Sequence, residues 1–434
     1  MKRTLAACLI ATAHCATPLP VFAQSEEIRA LQQQIADLEA QNRRIMAQVA
    51  ELSAQLPANR EPVKAAPNAQ AAMPAAIDTE GNRSRLSFYG FARVDAILDD
   101  SRANAAQTPT YILSEGPGAE NDDSFTLHPR LTRLGVNYAG PVINLPGEPT
   151  IGAKVEVDFQ NGGSESRSIP RTRQVYAKLD WGRGALLVGQ TWDIIAPLQP
   201  GVNADTMMWN AGNLGDRRVQ IRFTYAPDGP FTLAAGLALT GAVNLQDLDG
   251  NGVRDGEDVG TPHFQGRTAY GADWFEIGVW GHYAAEETAL PISGRTDFVS
   301  HSVGIDFHLQ PLDFLAAKGE FWTGSGLGDV RGGIGQSVNT LTGRSIGSTG
   351  GWLELGIKPL PAYAIALGLA YDNPENEDLA AGGRKLNRTW YIGNQLRLGS
   401  ALLLGLDYLH WRTSYLGLPE GTDNRINFYG IYTF

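Results

Sequence analysis

An all-β transmembrane barrel of about sixteen antiparallel strands, preceded by an N-terminal α-helical coiled coil, is the architecture that this sequence predicts. Three observations predict it. From residue 85 onward, apolar and polar side chains alternate with period two in one short stretch after another. Short and long polar connections take turns between those stretches. Ahead of them, residues 24–56 carry a heptad repeat that ends at a Pro/Ala-rich segment.

Residues 1–23 have the form of a secretory signal peptide. Lys2 and Arg3 are followed by the apolar run LAACLIATA and then VFAQ, with Val21 and Ala23 at the small-residue positions before a cleavage point. Cys8 and Cys15 lie inside this segment and are the only two cysteines, so the mature chain is expected to have neither disulfides nor thiol chemistry. Loss of the two positive charges of Lys2 and Arg3 takes the formal net charge from -11 to -13, a balance that argues against a nucleic-acid partner. No later stretch offers the roughly 20 consecutive apolar residues of a membrane helix. Export without a helical span leaves the periplasm, the medium or an outer-membrane barrel.

In residues 24–56, Ile28, Ile35, Asn42, Val49 and Leu56 fall at a positions, and Leu31, Leu38, Ile45 and Leu52 at d positions. Spacings that alternate between three and four define a narrow apolar seam, the signature of a periplasmic coiled coil. Its oligomerisation face is Ile28, Leu31, Ile35, Leu38, Asn42, Ile45, Val49 and Leu52, and the pattern alone leaves dimer and trimer open. Pro57 ends the helix, and residues 57–84 read as a semi-rigid linker.

Residues 85–434 make the barrel. In IGAKVEVDFQ, Ile151, Ala153, Val155, Val157 and Phe159 share one face, and Lys154, Glu156 and Asp158 the other. A cation aimed at the bilayer midplane costs roughly 2–4 kcal/mol, so Lys154, Arg222 and Lys318, near strand centres, must face inward. The apolar face then meets lipid, and the interior is expected to be polar and charged. A soluble sandwich would alternate too, but Trp and Tyr at the ends of the apolar band and an aromatic C-terminus favour the barrel. On the last strand, Phe428, Gly430, Tyr432 and Phe434 share the lipid-side face. Phe428, Tyr432 and the terminal Phe434 resemble the signal that barrel-assembly machinery recognises.

Inward parity sends Arg93, Asp95, Arg133, Lys154, Glu156, Asp158, Lys178, Arg218, Arg222, Lys318, Glu320 and Arg397 to the lumen. Between the fifth and sixth strands lies the long connection TWDIIAPLQPGVNADTMMWNAGNLGDRR. It is expected to fold inward and form a constriction, with Trp192, Met207, Met208 and Trp209 against the wall. Asp193, Asp205, Asp216 and Arg217 are then expected to meet solute. Arg93, Arg133, Arg218 and Arg222, next to or bounding that loop, favour anions; the lumen carboxylates pull the other way.

DLDGNGVRDGED fits the calcium-loop template with Asp247, Asp249, Asn251 and Gly252 in place, Asp255 ninth and Asp258 twelfth, where Glu is usual. Its oxygens are expected to hold a structural Ca2+ in an extracellular loop; no other cofactor is expected. The sequence has no H-E-x-x-H and no Walker loop, and its histidines lack ligand spacing, so no enzymatic role is expected.

The order of signal, heptads, Pro/Ala linker and barrel, with FYGFARVDAILD on the first strand, RLGVNY on the second and GQTWD leading into the inward loop, resembles the DcaP-like porins of Gram-negative outer membranes. The resemblance implies a sixteen-stranded barrel assembled as a homotrimer, with a periplasmic coiled coil. It also implies passive diffusion of small hydrophilic solutes, anionic ones such as dicarboxylates. The alternative is an outer-membrane anchor whose coil tethers the membrane to cell wall or a partner.

Overall fold

The computed structural model describes residues 76–79, 84–105, 108–116, 123–160, 168–202, 204–240 and 247–434. The signal peptide, the coiled coil and most of the linker lie outside the described residues.

Sixteen antiparallel strands close into one barrel. They are β1 Ser84–Asp99, β2 Arg133–Val142, β3 Thr150–Asp158, β4 Arg171–Asp180, β5 Gly184–Trp192, β6 Arg217–Tyr225, β7 Phe231–Ala238, β8 His263–Ala272, β9 Phe275–Ile292, β10 Arg295–Leu312, β11 Leu315–Ser325, β12 Gly347–Leu360, β13 Tyr363–Pro374, β14 Arg384–Leu398, β15 Leu402–Tyr415 and β16 Gly421–Thr433. Each pairs with its neighbours in sequence, and β1 closes on β16 from Phe91↔Thr433 to Leu98↔Ile426. Closure leaves no long free edge.

The expected linker 57–84 is corrected at its end, because Ala76–Thr79 is a strand paired with Ser84–Ser87. The reason is geometric. Since β16 reaches only Phe91, the start of β1 would keep an unpaired edge, and the preceding chain folds back to cover it.

Connections on one end are short, such as residues 273–274, 313–314 and 361–362, and those on the other are mostly long. The exception is β9–β10, joined through Ser293 and Gly294 at φ 50° and 79°. That is the primed turn a two-residue hairpin requires, and 18-residue strands take the place of a loop.

The outer surface is apolar: Val155 is 47% exposed, Val219 51%, Val303 60% and Leu369 61%. Phe231, Tyr270, Trp274 and Phe275 form a contiguous aromatic group near the short-turn end. Such a band, flanked by aromatics, is the surface of a barrel that sits in a bilayer. Phe428, Tyr432 and Phe434 all point outward.

The expectation of a polar and charged interior is corrected on one side of the barrel. Trp280, Trp322, Trp352, Tyr391 and Trp411 point inward from β9, β11, β12, β14 and β15 and pack against the loop that follows β5. Rings of this size fit because they lie over glycines of the next strand: a Cβ on Gly304 would stand 2.3 Å from the Trp280 ring, and one on Gly350 2.3 Å from Trp322. The core is therefore a loop clamped to one side of a barrel.

Candidate site: a loop-lined lumen with a basic wall

Residues 193–202 and 204–216, between β5 and β6, enter the lumen, as the length and apolar content of this connection predict. Ile195, Val202, Met208, Trp209, Ala211 and Leu214 are buried. The wall also holds the loop by polar contacts. The Glu320 carboxylate accepts from Leu198 N–H at 2.7 Å, and Glu354 from Gly201 N–H at 2.6 Å. Trp322 Nε1 donates to the Gly212 carbonyl at 2.8 Å, and Asn387 Nδ2 to that of Asn210 at 2.8 Å. The backbone is bent hard between these anchors, with Ala196, Met207, Met208 and Asn210 all at positive φ. Non-glycine residues hold that conformation only where surrounding contacts over-determine it.

The loop's own charges correct the expectation that they meet solute. Asp193 is 2.7 Å from Arg218, which is also 3.0 Å from Asp329, and none of the three side chains is more than 1% exposed. Asp205 lies 3.0 Å from Arg130. Asp216 pairs with Arg331 at 2.8 Å, while Arg217 is buried over the Trp192 ring at 4.7 Å. So Asp193, Asp205, Asp216, Arg217 and Arg218 fasten the loop and are shielded from the pore. The physical reason is its apolar stem: a loop that buries its middle against the wall draws its terminal charges into low dielectric, where they must pair. Burial by itself raises the Asp216 carboxyl, but Arg331 foremost and then Arg217 overcome it and hold the group below the ordinary range. Asp329 behaves alike, with Arg218 and then His263 overriding burial.

What the loop leaves open is a cavity of about 260 Å³ between its Gln199–Val202 segment and β1, β2, β4, β15 and β16. Three guanidiniums, of Arg93, Arg133 and Arg173, and one carboxylate, of Asp407, line it. Arg93 is held by a two-pronged bond to Asp95 at 2.7 and 2.8 Å and lies 4.2 Å over the Tyr429 ring. Arg173 bonds Glu156 at 2.9 Å and Asp158 at 2.7 Å. Arg133 and Lys154 stand farther from Glu156, at 3.6 and 3.8 Å. Arg222 is placed elsewhere, donating to Gln220 and to the Trp192 carbonyl.

Arg173 is the lining residue that sequence parity missed. Lys178 faces inward on β4, so Arg173, five residues earlier, should face lipid. Pairing shifts from Glu156↔Gln174 to Val157↔Thr172, a bulge that turns both Arg173 and Gln174 inward. A period-two stretch whose charges fall on both parities, RTRQVYAK, was the available signal.

On the long-loop side, carboxylate oxygens of Asp247, Asp249 and Asp255 lie within 4.8 Å of one another. Asn251 instead accepts from Val253 N–H at 2.7 Å, and the Asp258 side chain lies outside the description. A single helical turn, Asp255–Asp258, closes this loop.

Two patterns associated with hydrolases occur in the chain. Ser302 and Ser300 hydroxyls contact His282 at 2.6 and 3.0 Å, but inside the wall, with both ring nitrogens engaged and another imidazole, His263, beside the ring. Gly343–Gly347 spells G-x-S-x-G, but Ser345 there lies on a two-residue ladder and not at a strand-to-helix turn.

No family model matches the chain, and no curated protein matches it. Solved barrels do. The outer membrane channel DcaP of Acinetobacter baumannii aligns with a TM-score of 0.67 at 16% identity, covering 83% of this chain and 100% of that one. An anion-selective porin from Comamonas acidovorans gives 0.54 at 12% over 81% and 100%. OmpF of Salmonella typhi gives 0.56 at 11% over 83% and 100%. At these identities the likeness establishes the porin-type barrel, and at the level of fold it meets the resemblance noted from sequence.

Proposed function

We propose that this chain is an outer-membrane porin through which small hydrophilic solutes diffuse passively, with a preference for anions such as dicarboxylates. The observation that carries the reading is the cavity beside the inward loop, lined by Arg93, Arg133 and Arg173 against the single carboxylate of Asp407. Carboxylates facing the loop from the opposite wall, Glu320 and Glu354, are engaged by its backbone N–H groups, which reduces their pull on passing cations. Guanidinium forks suit carboxylate geometry, and a solute meeting several in turn is bound weakly enough to leave. The solved anion-selective porin of the same fold supports this reading, as does the apolar outer band for membrane placement. A homotrimer with the coiled coil in the periplasm belongs to the same proposal.

The test is the reversal potential across a planar bilayer in a KCl gradient. Wild type should give an anion-side potential, and the Arg133→Ala/Arg173→Gln variant should move it toward the cation side. A cation-side potential in wild type refutes the anion preference, and silent bilayers favour the anchor reading.

We also propose that Asp247, Asp249 and Asp255 hold a Ca2+ that stabilises the long loop before β8. Terbium luminescence should rise on titration and be displaced by Ca2+. An unchanged response in Asp247→Asn/Asp249→Asn would remove the assignment.

A further inference from the structure

On the outer face of β11–β15, two registered rows of side chains make a groove. One row runs Phe321, Gly351, Tyr371, Arg388, Arg412, and the next runs Leu353, Leu369, Trp390, His410. Gly351 contributes no side chain, and the cavity is about 570 Å³. Its floor and walls are apolar; its cations are gathered at one end.

That end has an unusual charge arrangement. Arg388 and Arg412 lie directly opposite each other on adjacent strands, a like-charge pair that is unfavourable by itself. Glu420 binds Arg412 and Ser414, leaving two guanidiniums against one carboxylate, with Arg388 exposed. The height of the pair is informative. From Trp390 to Leu398 the outward side chains of β14 are mostly apolar, roughly 26 Å along the strand at ~3.3 Å per residue. At a strand tilt of roughly 35–45° this spans about 20 Å along the barrel axis, most of the roughly 25 Å apolar band of such barrels. Arg388 and Arg412 therefore sit where the band ends on the long-loop side, at headgroup level. Trp390 lies just below, with its ring 5.7 Å from His410.

We propose that this groove binds a phosphorylated lipid of the outer leaflet, its phosphate on Arg388 and Arg412 and an acyl chain along Leu353, Leu369 and Trp390. The proposal rests on the membrane placement above. Guanidiniums grip phosphate through paired N–H donors, and the like-charge cost that one carboxylate, Glu420, offsets in part falls further when an anion bridges both. A purely apolar partner would leave that cost in place.

The experiment uses the full chain in detergent and native mass spectrometry. Its probes are a bis-phosphorylated glycolipid, the same lipid with its phosphates removed, and inorganic phosphate. Removing the phosphates should weaken binding at least tenfold, and Arg388→Gln/Arg412→Gln should do the same; inorganic phosphate at equal concentration should not displace the lipid. Equal binding of the dephosphorylated lipid overturns the proposal, and wild type alone decides this arm if the variant does not assemble. Displacement by inorganic phosphate also overturns it, as does loss of subunit association in place of lipid binding, which would assign the face to a second copy. Because these residues lie outside the lumen, the variant should conduct as wild type does. Silent wild-type bilayers would defeat the channel reading while leaving the lipid result standing.

Discussion

On β1–β4 the inward carboxylates Asp95, Glu156 and Asp158 are bonded by guanidiniums of the same wall, whereas on β11 and β12 Glu320 and Glu354 reach backbone N–H groups of the loop. The first side keeps a layer of cations facing the cavity. On the second, Trp322 and Trp352 pack against apolar residues of the loop. One barrel thus divides its interior into a basic half that lines a cavity and an apolar half that clamps the loop. The division teaches that counting lumen charges from sequence misjudges selectivity: a carboxylate that anchors a loop does not act on solute as an open one does.

The largest test of this division strikes the staple between the halves. Arg218→Ala leaves Asp193 and Asp329 buried without the guanidinium they share. Removing one partner of a buried pair costs about 3–5 kcal/mol, and here two carboxylates lose the same cation. The expected outcome is a lower unfolding temperature together with larger, noisier single-channel conductance, as the loop leaves its seat. Wild-type conductance with lowered stability would separate the staple from the constriction and break the comparison.

Acid should act on the same staples more gently. Asp216 and Asp329 are held below their ordinary values, so their contribution to stability is complete above the unfolded-state value near 4 and fades as pH falls through the lower folded-state values. Thermal stability is expected to show no loss from these groups between pH 7 and 5, and to fall below about pH 4, with loop noise rising in step. Asp329→Asn should remove part of the acid-dependent loss. A decline already complete by pH 5 would point to other groups.

Much of this was legible in the sequence because lipid imposes period two on every strand: the alternation places Val155 outside and Glu156 inside without any knowledge of neighbours. The inward loop was legible too, since Met208 and Trp209 are poor candidates for a solvated connection. Three features were not. Arg173 depends on a bulge that local parity hides. Position in the loop sends Asp193 and Asp216 to solute, because sequence gives no sign of Arg218, Asp329 and Arg331 closing over them. The Trp280–Gly304 and Trp322–Gly350 pairs, which make one half of the interior apolar, are contacts between strands and are written in no single stretch.

The smallest effect on stability, and the sharpest on selectivity, is expected at Arg133. Its side chain is 30% exposed and 3.6 Å from Glu156, which keeps Arg173 and Tyr89 as closer partners at 2.9 and 2.8 Å. Loss of so open a pair costs at most about 0.5–1 kcal/mol, and nothing buried is left unpaired. Arg133→Ala should therefore melt close to wild type while its reversal potential moves measurably toward the cation side, more at low salt than at high, since only an incompletely screened charge acts on a passing ion. A basic wall that selects must lose selectivity when its least committed cation is removed. If Arg133→Ala kept the wild-type potential at every salt concentration, the cations of this half would be scaffolding like the carboxylates opposite, and the distinction between the two halves would be one of packing alone.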